Sequence, residues 1–172
     1  MAVTLLRHTA PAIEPGICYG ISDIDVAKSF AQDARAVVET LPGFRRIITS
    51  PLQRCRRLAE HIAGELRVPL SVDLRFQEMD FGTWEGRAWA EIPRAEIDAW
   101  AADFMHARPH GGESVAMLRA RTLEALAELK NTGDQHLIVT HAGVIRAAVA
   151  TGDTTADYGA TIGFGRFVTL LA

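Results

Sequence analysis

The chain has 172 residues and a formal net charge of -3, with 21 acidic against 18 basic side chains. That balance gives no global attraction to nucleic acid or an anionic membrane, so any bound anion needs a local pocket. A 48% hydrophobic, 23% charged composition is that of a globular protein with one real core, which excludes disorder and suits a single domain over 1–172.

The two cysteines, Cys18 and Cys55, form no disulfide framework, and Cys55 on a helical pattern reads as a small core residue. No apolar run resembles a signal peptide or reaches the length of a membrane span, so a soluble cytoplasmic protein is expected.

Val3 to Arg7 reads as a buried strand ending in Arg7-His8, and the Pro- and Gly-bearing stretch from Thr9 to Asp25 as a loop. Apolar spacing predicts a helix from Val26 to Leu41, ended by Pro42-Gly43. Arg46 to Thr49 is a β-branched strand, after which Ser50-Pro51 reads as an N-cap and first helical position, opening a helix to about Leu66. Leu70 to Val72 is a third strand, and Asp73 to Gly86 is irregular. Helical patterns follow over Arg87 to Met105 and Ser114 to Lys130, separated by Pro109-His110-Gly111-Gly112. His136 to Thr140 is an apolar strand ending in His141. A helix from Gly143 to about Thr151 and a last strand near Phe167 to Leu171 complete the pattern. Strands alternating with helices predict a mostly parallel sheet covered on both faces.

Two strand tips thus carry histidines and one carries an arginine, and in open α/β folds ligands bind outside the carboxyl ends of the strands. Phosphate recognition needs guanidinium forks and backbone N–H groups at a helix start. Arg7 and Arg54 supply the former, although Arg54 taken alone reads better as a solvated helix-face charge beside Arg56 and Arg57, and its spacing from the helix start is what singles it out. Ala142 and Gly143 supply the latter, although a glycine there reads equally as a tight turn. One imidazole with a free ring nitrogen is a competent nucleophile toward phosphorus, and a second, protonated, stabilises charge on the transferring group.

A leaving alkoxide needs a proton, and Glu78 or Asp80, beside aromatics and facing a dianion, would have a raised pKa suited to donating it. Glu113 reads as an acid complementing a helix dipole. His61, His106 and His110 lack metal-ligand spacing and read as surface or local structural residues. Trp89, Trp100 and Phe104 are core or a stacking wall, with helical spacing favouring core.

Five segments together resemble the histidine phosphatase superfamily: Leu6-Arg7-His8-Thr9, Thr49-Ser50-Pro51-Leu52-Gln53-Arg54, Glu78 to Gly86, Gly111-Gly112-Glu113-Ser114, and Val139 to Arg146. The resemblance implies a three-layer α/β/α sandwich with a mostly parallel central sheet, phosphoglycerate mutase-like, and a helical cap at about 87–109. It implies that His8 is the phosphorylated nucleophile, that Arg7, Arg54 and His141 form the phosphate pocket, to which the helix-start reading adds Ala142, and that Glu78 is the proton donor. It implies neither metal nor cofactor, and carries Arg146 over as structural. The expected ligand is a small phosphorylated metabolite, with no nucleic acid or membrane partner; nothing in the pattern assigns an oligomeric state.

The chain departs from that pattern at Thr9, in place of glycine, and at Glu14, in place of an asparagine near the phosphate; Glu14 is expected to point away. With Gly16 to Asp23, the opening is most similar to the α-ribazole phosphatase branch, although Asp25 replaces that branch's proline. The expected activity is a metal-independent phosphomonoesterase. The alternatives are a small mutase, distinguished by a longer-lived phosphoenzyme, a phospho-ligand binding module without turnover, and a zinc hydrolase using His8 and His141, which lacks a third spaced ligand.

Overall fold

The computed structural model describes residues 2–171. Its five strands are β1 (Ala2–Arg7), β2 (Arg46–Thr49), β3 (Leu70–Val72), β4 (His136–Thr140) and β5 (Phe167–Leu171), in the sheet order β3-β2-β4-β1-β5. The first four run parallel and β5 is antiparallel to β1. Side chains alternate between two apolar cores. Leu6, Ile47, Leu137 and Val139 face α1 (Phe30–Thr40) and α2 (Gln53–Leu66). Val3, Leu5, Ile48 and Ile138 face α4 (Val115–Lys130) and α5 (Ala142–Val149). The expected three-layer sandwich is therefore the observed fold. A smaller cluster of Cys18, Trp84 and Ile92 sits beneath α3 (Arg94–Ala102), with Ile97 and Trp100 packed on it.

Register is what builds the site. Arg7 pairs with Thr140 and Thr49 with Val139, so the residues that follow these three neighbouring strands, His8, His141 and Ser50, emerge together at one edge of the sheet.

Two expected helices start late, for one physical reason. Residues 25–27 bond across to 10–12, through Ala12 N–H to Asp25 O and Ala27 N–H to Ala10 O, so α1 begins at Phe30 rather than Val26. Residues 86–89 likewise bond to 16–18, through Gly86 N–H to Cys18 O, Cys18 N–H to Arg87 O and Trp89 N–H to Gly16 O. Only Arg94–Ala102 of the expected Arg87–Met105 span is α-helical, preceded by a single 3-10 turn at Trp89–Glu91. The strand-like pairing of the 9–23 loop satisfies backbone groups that each helix would otherwise have used.

The Ser50-Pro51 start of α2 also needs correction. The helix begins at Gln53, and the side chain that caps it is the distant Asp23 carboxylate, which accepts the Gln53 N–H at 2.7 Å. Ser50 Oγ accepts the Leu52 N–H at 3.3 Å just before the helix and lies 2.7 Å from His141 Nε2. Ser114, read as the first helical residue, caps α4 by accepting the Met117 N–H at 3.2 Å.

Candidate active site

His8 is almost fully buried, and its Nδ1 lies 2.7 Å from the Thr9 carbonyl. A carbonyl only accepts, so Nδ1 carries the proton and Nε2 keeps its lone pair whenever the ring is neutral. The ring is neutral across the physiological range: burial first, then the cations of Arg54 and Arg7, push its pKa down to about 3.

His141 stands beside it, ring centres 5.2 Å apart, at the N-cap position of α5. Its Nε2 is 2.7 Å from Ser50 Oγ, and Cys55 Sγ packs 3.4 Å from the same nitrogen. Burial, then His8, Arg54, Arg121 and Arg7, hold its pKa well below the usual value, which works against the protonated second imidazole expected from sequence. The reason is surroundings made of apolar atoms and cations.

The two expected guanidiniums are held differently. Arg7 donates from Nη1 to Ile162 O at 2.6 Å, its guanidinium carbon lies 3.9 Å from the centre of the Phe164 ring, and the Tyr19 phenol stands beside it. Arg54 is completely buried and donates to two backbone carbonyls, Ser22 O at 2.7 Å and Gly20 O at 2.6 Å. The solvated helix-face alternative is thereby excluded for Arg54. Its Nε has no hydrogen-bond partner among the described residues, and the Tyr19 ring covers the guanidinium at 5.2 Å.

Glu78 reaches the site from the irregular segment before the 3-10 turn Gly82–Trp84. Its Oε2 accepts the Gly143 N–H at 3.0 Å and its Oε1 accepts the Met79 N–H at 3.0 Å. Glycine at 143 leaves room for this contact, because a Cβ there would run into the carboxylate as placed, 3.0 Å from its carbon Cδ and closer still to Oε1. The glycine that read equally well as a tight turn thus makes space for the acid. Ala142, at the first helical position of α5, has an N–H with no carbonyl one turn earlier in the helix to bond.

Arg7, His8, Glu78, Ala142 and Gly143 open on one cavity of about 360 Å³, whereas Arg54 and His141 lie fully buried behind it. The rest of the wall is largely apolar and aromatic, including Phe81, Trp89, Trp100, Phe104 and Tyr158. Trp100 and Phe104 also pack on the core, but with Trp89 they face the cavity, which corrects the core-only preference. Glu14 is exposed and lines a different hollow, as expected.

Several positioning residues escaped the sequence reading. Glu113 pairs with Arg121 through two short contacts, 2.7 and 2.9 Å, rather than serving only a helix dipole. Arg121 in turn donates to Arg75 O, Gln77 O and Glu78 O, clamping the segment that carries Glu78. Glu85 accepts N–H bonds from Gly20, Ile21 and Phe81 and the Ser22 hydroxyl, fixing the loop whose carbonyls hold Arg54. An isolated acid or arginine carries no sequence signal for such long-range pairing; only its place inside a recognised motif hinted at Glu113 and Glu85. His110, expected at the surface or in a local structural role, is buried against Trp84, ring centres 4.8 Å apart.

Comparison with known proteins accounts for this constellation. The sequence profile of the histidine phosphatase superfamily (branch 1) matches residues 3–156, a span that holds Arg7, His8, Arg54, Glu78, His141 and Ala142. The chain belongs to this superfamily. Among histidine phosphatases it is 26% identical over 160 residues to the adenosylcobalamin/α-ribazole phosphatase of Escherichia coli (strain K12), covering 87% of this chain and 78% of that protein. It is 29% identical to the metal-independent phosphoserine phosphatase of Arabidopsis thaliana, covering 84% and 66% of the two. The structure of the α-ribazole phosphatase from Shigella flexneri superposes with a TM-score of 0.84 at 23% identity, over 98% of this chain and 89% of that one, and shares its fold.

Proposed function

We propose that the protein is a phosphomonoesterase that works through a phosphohistidine and needs no metal. The observation that carries this reading is the His8 ring itself, neutral, with Nδ1–H committed to the Thr9 carbonyl and Nε2 left as the nucleophile, on the wall of the cavity that also holds Glu78 and Arg7.

In the first step Nε2 attacks phosphorus and the bond from phosphorus to the ester oxygen breaks. Glu78, in its acid form, hands its proton to the departing oxygen. In the second step water attacks phospho-His8, Glu78 takes the water proton, and the P–N bond breaks to return neutral His8 and inorganic phosphate. Arg7 and the Ala142 N–H hold phosphoryl oxygens, while Arg54 and His141 supply cationic and polar stabilisation from behind.

The substrate reading is α-ribazole 5′-phosphate, handled in the cytoplasm. Its support is the Gly16–Asp23 segment, the Escherichia coli relative's name, and an aromatic wall able to take a flat base, with the 87–109 region acting as the cap.

Hydrolysis of 4-nitrophenyl phosphate by wild type and His8→Ala, with a chelator present, tests the mechanism. Chelator-resistant turnover that disappears with His8, and a phosphoenzyme trapped by alkaline quench, are expected. Turnover surviving in His8→Ala, or abolished by the chelator, overturns it. Comparing kcat/KM for α-ribazole 5′-phosphate, phosphoserine and 3-phosphoglycerate then tests the substrate.

A further inference from the structure

Arg146 is carried over from the sequence resemblance as a structural residue, and one of its bonds is structural: Nε donates to Ala160 O at 2.9 Å, tying α5 to the segment before β5. The rest of the side chain has another setting. Arg146 lies one helical turn beyond Gly143 on the α5 face that holds Ala142 and Gly143, and it lines the same cavity as His8 and Glu78. Its two terminal nitrogens make no hydrogen bond to any described residue, and no carboxylate among them, Glu78 included, lies within ion-pair distance. Its charge is felt at Arg7, whose pKa it lowers by repulsion after the larger effect of burial.

Arg146 is thus a half-buried guanidinium tied through its Nε, with both terminal nitrogens free of protein partners, on a cavity whose wall at this end includes Tyr158, Phe104, Leu118 and Val115. Two donors with no protein partner are open to an acceptor on a ligand, and the guanidinium fork matches a carboxylate with two parallel bonds. The transferring phosphate already has Arg7, Arg54, His141 and the Ala142 N–H. The acceptor for Arg146 therefore belongs to the other end of the ligand.

We propose that Arg146 is a specificity residue that binds a lone-pair acceptor on the leaving group, most strongly a carboxylate or other anion, so that ligands anchored at both ends are preferred. A neutral leaving group offers it a hydroxyl or ring nitrogen and is held more weakly. This rests on the phosphomonoester reading of the cavity but not on any one substrate within it.

The test uses a matched pair of non-hydrolysable ligands, phenylphosphonate and 4-phosphonobenzoate, titrated calorimetrically into wild type, Arg146→Gln and Arg146→Lys. Wild type is expected to prefer the carboxylated ligand by about tenfold or more, Arg146→Gln to bring that ratio close to one, and Arg146→Lys to restore part of it. Thermal melting of each variant separates loss of the Ala160 tie from loss of the fork, because a purely structural role lowers stability and leaves the ratio intact. A wild-type ratio near one, or an unchanged ratio in Arg146→Gln, overturns the proposal. The same ratio read in kcat/KM with phenyl phosphate and 4-carboxyphenyl phosphate keeps the two readings apart. Binding discrimination without turnover fails the phosphatase reading and upholds Arg146, whereas turnover without discrimination does the reverse.

Discussion

Gly143→Ala isolates the acid from the rest of the site. Gly143 sits inside α5 with helical backbone, so alanine is acceptable to the chain and helix propensity alone favours it by about 1 kcal/mol. The new Cβ meets Glu78, however, with the carboxyl carbon at 3.0 Å where ordinary contact is about 3.5–4.0 Å, and with Oε1 nearer. The carboxylate therefore has to retreat by about 1 Å and gives up the 3.0 Å bond from the Gly143 N–H. A misplacement of about 1 Å at a reacting group costs on the order of 10²-fold, and complete loss of general-acid help costs about 10²–10⁴-fold. A roughly 100-fold fall in kcat is therefore expected for an alkyl phosphate, whose leaving oxygen depends on the proton. A much smaller fall is expected for 4-nitrophenyl phosphate, whose leaving group departs without one. Steady-state kinetics on both substrates, beside Glu78→Gln and a urea melt to confirm folding, is the assay. Equal losses on the two esters, or wild-type rates on the alkyl ester, would refute the assignment of Glu78 as the positioned acid.

Other outcomes follow from neighbouring contacts. The His8 pKa is depressed to about 3 from 6.5, so as pH falls the unfolded chain takes up the proton before the folded one does. The stability is fully present above pH 6.5 and is lost progressively as pH falls toward 3, so urea midpoints should drop between pH 8 and pH 5 and His8→Gln should flatten that drop; a rise on acidification contradicts the burial argument. Arg121→Met strands the nearly buried Glu113 and frees three carbonyls, which should cost about 3 kcal/mol in denaturant unfolding and lower kcat through the loosened Glu78 segment; a cost near zero means the clamp is idle. Glu85→Ala removes the acceptor that orders Gly20 to Ser22, so KM for aryl phosphates should rise more than kcat falls; a pure kcat effect would place Glu85 nearer the chemistry than its contacts do.

The local pattern of the chain determined the strands and the fold class. β2, β3 and β5 lie where short β-branched and apolar runs were read, because such a run leaves a local mark that needs no partner to be read. The strand tips determined His8 and His141, and the five ordered motifs pointed to Arg54 and Glu78. Tertiary structure decided everything that depends on backbone groups far apart in sequence. Residues 26–27 and 87–89 lie in runs with helical patterning, yet the backbone there is paired with the loop that follows β1, a competition that periodicity cannot register. Asp23 capping α2, Arg121 clamping the Glu78 segment and Glu85 ordering the Arg54 loop are long-range hydrogen bonds of the same kind. The lowered pKa of both imidazoles was likewise mainly a tertiary decision, because burial and the distant Arg54 act on both, and of the cations only Arg7 stands beside a histidine in sequence.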